Sequence, residues 1–154
     1  MNQTNISKSS VCFSCLSNSR EKPISPGEAI HTGRYWLVEH AYPSGLEGWL
    51  VIVLKRHCEK LHQLTSDEWL ELATLQQRCC NVLKVVFKSS KEYTMCFAEK
   101  QGFKHIHFHV VPKHSGFDKE NSGVGVFNYL KMPQSRWVSK PRVREICRQL
   151  KRKF

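Results

Sequence analysis

One seven-residue stretch constrains the fold more than any other part of the chain: His105-Ile106-His107-Phe108-His109-Val110-Val111. In an extended strand, successive side chains point to opposite faces. The alternation puts His105, His107 and His109 on one face and Ile106, Phe108 and Val110 on the other. The apolar face needs cover from a helix, while the other presents imidazoles about 6.5–7 Å apart along the strand. Aligned imidazoles make poor core, because each ring needs a hydrogen-bond partner or a ligand once buried. Such a strand belongs in a sheet with one packed face and one face that carries chemistry.

The flanking sequence supplies the rest of that sheet. Glu28–Thr32 and Tyr35–Glu39, joined at Gly33-Arg34, are short, rich in aromatic or β-branched residues and bounded by turn residues, the pattern of a hairpin. Gly48–Lys55 is a continuous apolar run of the length of a buried central strand. Tyr93–Phe97 reads as a further strand, and Pro112 is expected to stop the strand that holds the histidines. Between them, Thr65 with Glu68 three residues on forms a capping box. Trp69, Leu72, Leu75, Cys79, Val82 and Val86 then recur as one stripe of a long helix. Ser139–Lys153 is expected to be a terminal helix, with Pro141 tolerated in its first turn. Strands, a helix, then strands without βαβ alternation predict an α+β fold with an antiparallel sheet.

At 154 residues, 40% hydrophobic and 24% charged, the chain is expected to form one folded domain. Residues 1–10 read as a disordered leader, 11–114 as the domain, and 115–154 as a basic extension, partly helical and packed on it. The longest apolar run, Trp49–Leu54, is far short of the roughly 20 residues of a membrane span. The polar stretch Met1–Ser10 shows no signal peptide. Seven cysteines, an odd number with one Cys-x-x-Cys, argue for reduced thiols over a disulfide framework. The expectation is a soluble, cytoplasmic protein with no membrane partner. Lys131–Phe154 holds nine basic residues and one acidic, so it supplies +8 of a formal +11. That block suits phosphate groups, on nucleotide or nucleic acid, or a solubilising surface. Only Trp137 and Phe154 could stack bases there, so nucleic acid is supported by charge alone.

Three imidazoles in register fit two chemistries. They can hold zinc with an open position for water, or a neutral imidazole can attack phosphorus near neutral pH. The stretch resembles the His-φ-His-φ-His-φ-φ signature of the histidine triad (HIT) superfamily of nucleotide hydrolases and transferases. The resemblance runs from about Cys12 to Lys113 and includes Gly48-Trp49-Leu50-Val51-Ile52-Val53-Leu54-Lys55-Arg56-His57. It implies an α+β fold around a five-stranded antiparallel sheet, with one long central helix and a C-terminal helix, usually as a homodimer. It also implies attack on the α-phosphorus of a nucleoside phosphate derivative. His107 would be the nucleophile, His109 would hold the phosphate, and the main-chain carbonyl of His105 would accept the far proton of the His107 ring. Gln101 is the candidate for a further phosphate or leaving-group contact. The same fold also serves as a non-catalytic nucleotide-binding or interaction module.

Three places depart from the family pattern. The family's fourth histidine usually follows the glycine before the buried strand, where this chain has Trp49. Gly102 stands where a hydroxyl residue is common, and Glu39-His40-Ala41 occupies the region where many members grip the ribose with an acid. Cys12-Phe13-Ser14-Cys15 alone is compatible with metal, redox or incidental roles. In zinc-containing branches of the superfamily such a pair is completed by two histidines. The resemblance therefore implies structural zinc on Cys12, Cys15, His57 and His105.

Overall fold

The protein is described here by a computed structural model covering residues 11–154. The leader expected over residues 1–10 lies outside the described residues. The elements are α1 (Phe13–Asn18), β1 (His31–Thr32), β2 (Trp36–His40), β3 (Leu50–Leu54), α2 (Ser66–Phe87), β4 (Lys91–Met95), β5 (His107–Lys113) and α3 (Lys140–Lys151). The five strands form one antiparallel sheet in the order β1-β2-β3-β5-β4. The continuous apolar run is thus the central strand, with Val38 opposite Ile52 on one side and Phe108 opposite Ile52 on the other.

Alternation along the strands divides the molecule into two layers. Trp36, Val38, Leu50, Ile52, Leu54 and Val110 join a large core with Leu72, Leu75, Cys79, Val82 and Leu83 of α2. Val143, Ile146, Cys147 and Leu150 of α3 are fully buried in the same core. The C-terminal helix is therefore part of the hydrophobic core. The opposite face carries a smaller cluster of Ala41, Trp49, Val111, Phe117, Val126 and Tyr129, closed by a 3₁₀ segment, Gly123–Leu130. That face also carries Val51, Val53, His107 and His109, which line an open cavity.

Local signals explain the element ends. Thr65 caps α2 reciprocally with Glu68, and Ser139 caps α3 by accepting from the Arg142 N–H, with a proline in the first turn. The Cys-x-x-Cys segment opens a short helix, α1, with Cys12 as its N-cap. Two expectations need correction. Trp69 is 41% exposed, because Leu83 and not Trp69 completes the buried stripe of α2. Pro112 does not end its strand. Pairing with β3 ends at Val110, so beyond it β5 has a neighbour on one side only, where a missing N–H is tolerated.

Part of the basic C-terminal charge is engaged within the molecule. Arg142 grips Glu47 through two nitrogens at 2.9 and 2.8 Å. Lys151 meets Glu28 at 2.5 Å. Among the described residues, no helix is long and apolar enough to cross a membrane.

Candidate active site and metal centre

The site lies where β5 emerges beside α1. The structure divides the three histidines rather than aligning them. His105 precedes β5 and is fully buried. Its Nε2–H donates to the Leu54 carbonyl at 2.7 Å, and its Nδ1 lies 3.4 Å from Cys15 Sγ and 3.6 Å from Cys12 Sγ. The expectation that all three rings share one working face therefore fails. The His105 ring is drawn to the thiols, away from the cavity that His107 and His109 line. A three-histidine metal site is not assembled.

His107 and His109 stay together, their ring centroids 4.9 Å apart and nearly perpendicular. His107 Nδ1 contacts the carbonyl of His105 at 2.8 Å. A carbonyl can only accept, so Nδ1 carries the proton and Nε2 keeps its lone pair. Burial holds the His107 pKa below its usual value, against the opposing pull of that carbonyl. His109 is buried further and lies beside His107, which brings its pKa to about 3. Its Nδ1 receives the indole N–H of Trp49 at 3.0 Å.

The cavity in front of these rings is about 620 Å³, within the roughly 300–1,000 Å³ of small-molecule sites. Its walls are largely apolar, including Ile24, Tyr42, Phe97, Phe103, Phe127 and Leu130. Ser14, Ser17 and Asn18 of α1 form one side. Glu39, 4% exposed, also lines it, and burial raises its pKa against the attraction of Arg20, 3.3 Å away. Sequence reasoning left Glu39 without a role, because its pairing with Arg20 from the end of α1 has no local signature. Lys100 and Lys131 add cationic groups to the walls. Gln101 is placed elsewhere, beside Cys12, Glu59, Gly102 and Lys104 in a separate small depression. His40 is buried and structural, contacting the Ala41 carbonyl with Nδ1 and accepting the Gly48 N–H with Nε2.

Cys12, Cys15, His57 and His105 converge, with their ligand atoms all within 4.8 Å of one another. The Cys15 N–H donates to Cys12 Sγ, shaping the turn of the Cys-x-x-Cys segment. His57 Nδ1 lies 3.4 Å from Cys15 Sγ, with its Nε2 3.4 Å from Glu59. Burial, reinforced by the neighbouring Cys12, pushes the Cys15 thiol up to about 11. α1 is further fixed by the Phe13 N–H on the Gly102 carbonyl and the Asn18 amide on the Leu54 carbonyl. The four candidate metal ligands predicted from the resemblance are thus brought together at one point.

Comparison with known proteins agrees with this architecture. A hypothetical histidine triad nucleotide-binding protein from Sulfolobus tokodaii strain 7 superposes with a TM-score of 0.70 at 15% identity, over 92% of this chain and 91% of that one. A zinc-bound histidine triad family protein from Mycobacterium smegmatis gives 0.60 at 20% identity, over 90% and 94%. Diadenosine triphosphate hydrolase from Plasmodium falciparum gives 0.61 at 14% identity, over 81% and 74%. At these identities the likeness is one of fold. No curated protein sequence matches the chain. The family model of the HIT domain matches residues 26–116, more than half of the sequence and the whole stretch from β1 to β5, and the chain belongs to the HIT domain family.

Proposed function

We propose that the protein is a nucleotide hydrolase or nucleotidyl transferase that attacks the α-phosphorus of a nucleoside phosphate derivative. The observation that carries this reading is the 2.8 Å contact of His107 Nδ1 with the His105 carbonyl. It fixes the proton on the far side of the ring and leaves Nε2 as a neutral nucleophile beside a cavity of nucleotide size. In the first step Nε2 bonds to phosphorus, and the bond from phosphorus to the leaving group breaks. In the second, water bonds to phosphorus, the P–N bond breaks, and the water proton is released as His107 is regenerated. His109 supports a phosphoryl oxygen. The largely apolar walls suit a base, and the family to which the chain belongs includes neighbours described as nucleotide-binding or as a diadenosine triphosphate hydrolase.

Zinc on Cys12, Cys15, His57 and His105 is part of the same proposal. Tetrahedral zinc with nitrogen and sulfur ligands has N···S edges of about 3.5 Å, from bond lengths of about 2.0 and 2.3 Å. The observed N···S separations are 3.4, 3.4 and 3.6 Å. His105 also offers its lone pair in the right sense, because its other nitrogen donates to Leu54. Zinc held there supplies structural cross-linking with no open position for catalysis. Nucleotide is the proposed partner, in a homodimer located in the cytoplasm.

The test is a substrate screen of dinucleoside polyphosphates, nucleoside phosphoramidates and nucleoside diphosphosugars against wild type and His107→Ala. The variant should keep its fold and lose turnover, and wild type should give a stoichiometric adduct on His107 with a slow substrate. Turnover by the variant within about threefold of wild type overturns the assignment.

A further inference from the structure

Trp49 belongs to the smaller cluster on the cavity face of the sheet and is fully buried. Gly48 before it takes a left-handed φ of +78°, and a Cβ there would lie 2.8 Å from the Phe87 ring. This conformation swings the chain into β3 and turns the indole toward β5. The Trp49 carbonyl accepts the Ala41 N–H at 2.8 Å. The ring packs edge-on to Phe127 at 5.9 Å and to His109 at 5.6 Å, with an interplanar angle of 86° to the imidazole. That geometry aims the indole N–H at His109 Nδ1, 3.0 Å away.

An indole nitrogen is a donor only. His109 Nδ1 must therefore accept, and in a neutral ring the proton resides on Nε2. A second proton on Nδ1 would set two N–H groups against each other in a buried site. Loss of the Nε2 proton would leave an imidazolate.

We propose that Trp49 is a positioning residue that locks His109 as a fixed Nε2–H donor to a phosphoryl oxygen and removes it as a proton source, so that the site favours leaving groups that depart as anions. The inference rests on the nucleotidyl-transfer reading above and deepens it by naming the substrate class. With a phosphoanhydride, the P–N bond to His107 forms as the P–O bond breaks, and the leaving phosphate keeps the electron pair without needing a proton. With a phosphoramidate, the P–N bond to the leaving amine breaks well only as the amine gains a proton, which His109 cannot give.

The experiment combines nitrogen-detected tautomer assignment of His109 in ¹⁵N-histidine-labelled protein with kinetics on diadenosine triphosphate and adenosine 5′-phosphoramidate. Wild type should show Nε2 protonated and Nδ1 as a hydrogen-bonded acceptor, and should turn over the anhydride at least about tenfold faster. Trp49→Phe keeps a buried ring but has no donor. It should lose the hydrogen-bonded Nδ1 signature and lower kcat on the anhydride with KM nearly unchanged. Trp49→His can accept as well as donate and should narrow the gap between the two substrates. A His109 ring protonated on Nδ1 in wild type, or an identical Nδ1 signature in Trp49→Phe, overturns the proposal. Equal turnover of the two substrates overturns it as well and points to a proton source such as Glu39 or Lys100. Failure of the parent reading looks different: the expected tautomer is present, yet neither substrate is turned over and no His107 adduct forms.

Discussion

Replacing Glu68 by Gln isolates the tie between the start of α2 and the segment that carries His57. The Glu68 carboxylate accepts from Arg56 at 2.6 and 2.9 Å and from the Thr65 N–H at 2.8 Å. The Arg56 contact, larger than the opposing effect of burial, brings its pKa down to about 2 from 4.5. Converted directly, such a displacement corresponds to ~3 kcal/mol. Arg56 is 46% exposed, however, and water screening reduces the expected loss to about 1–2 kcal/mol. The amide oxygen of Gln can still accept from Thr65, so the cap survives and the charge pair is what is removed. For a chain of this size, each 1 kcal/mol shifts the melting temperature by about 2–4 °C, so a drop of about 2–8 °C is expected near pH 7. Because the folded-state pKa is depressed, the stabilisation is complete above the unfolded value. It disappears as pH falls from 4.5 toward about 2. Thermal unfolding of wild type and variant, followed by circular dichroism at several pH values, should show the gap closing in acid. A gap that persists undiminished to the lowest pH at which the protein folds, or no gap at neutral pH, refutes the reasoning.

Cys15→Ser should lower the zinc bound per chain, measured by elemental analysis, and lower the melting temperature, because ligand loss is coupled to folding. Gln101→Ala should change KM on any active nucleotide by less than about twofold, since a side chain outside the cavity contributes no binding energy there. Leu150→Ala removes a fully buried side chain from the large core and should cost about 2–5 kcal/mol in denaturant unfolding. Charge reversal at Arg152 and Lys153 should leave KM unchanged to within about twofold even at low salt. The cavity is lined by no residue of α3, and charge acting from outside the site enters mainly through association rate.

What the sequence disclosed follows the range of the interactions involved. The capping box of α2 needs only residues 65–68, and the apolar run of β3 needs only its own composition. Both were legible. The place of His105 was not readable from strand alternation, which aligned it with His107 and His109. A hydrogen bond to Leu54 and two thiols some ninety positions away decide where that ring goes. The metal set was legible only through the family resemblance, because Cys15 and His57 are separated by 42 positions. The Glu39–Arg20 pair and the Trp49–His109 contact were invisible. Both join residues from distant segments, and neither residue type advertises a partner. Trp49 stood out in the sequence as a missing histidine, and only the geometry gives it a partner of its own.

His105 serves two neighbours with different parts of itself: its imidazole joins the thiols, and its carbonyl receives the proton of His107. Every amino acid has a carbonyl at that point, so no substitution at this codon can erase the acceptor. Mutation can only displace it. His105→Ala would strip a ligand from the metal set while leaving the acceptor oxygen in the chain, and any change in His107 behaviour would then measure backbone movement. On the proposed reading, a metal cross-link at α1 would be the natural handle on His107, acting through where it holds one peptide plane.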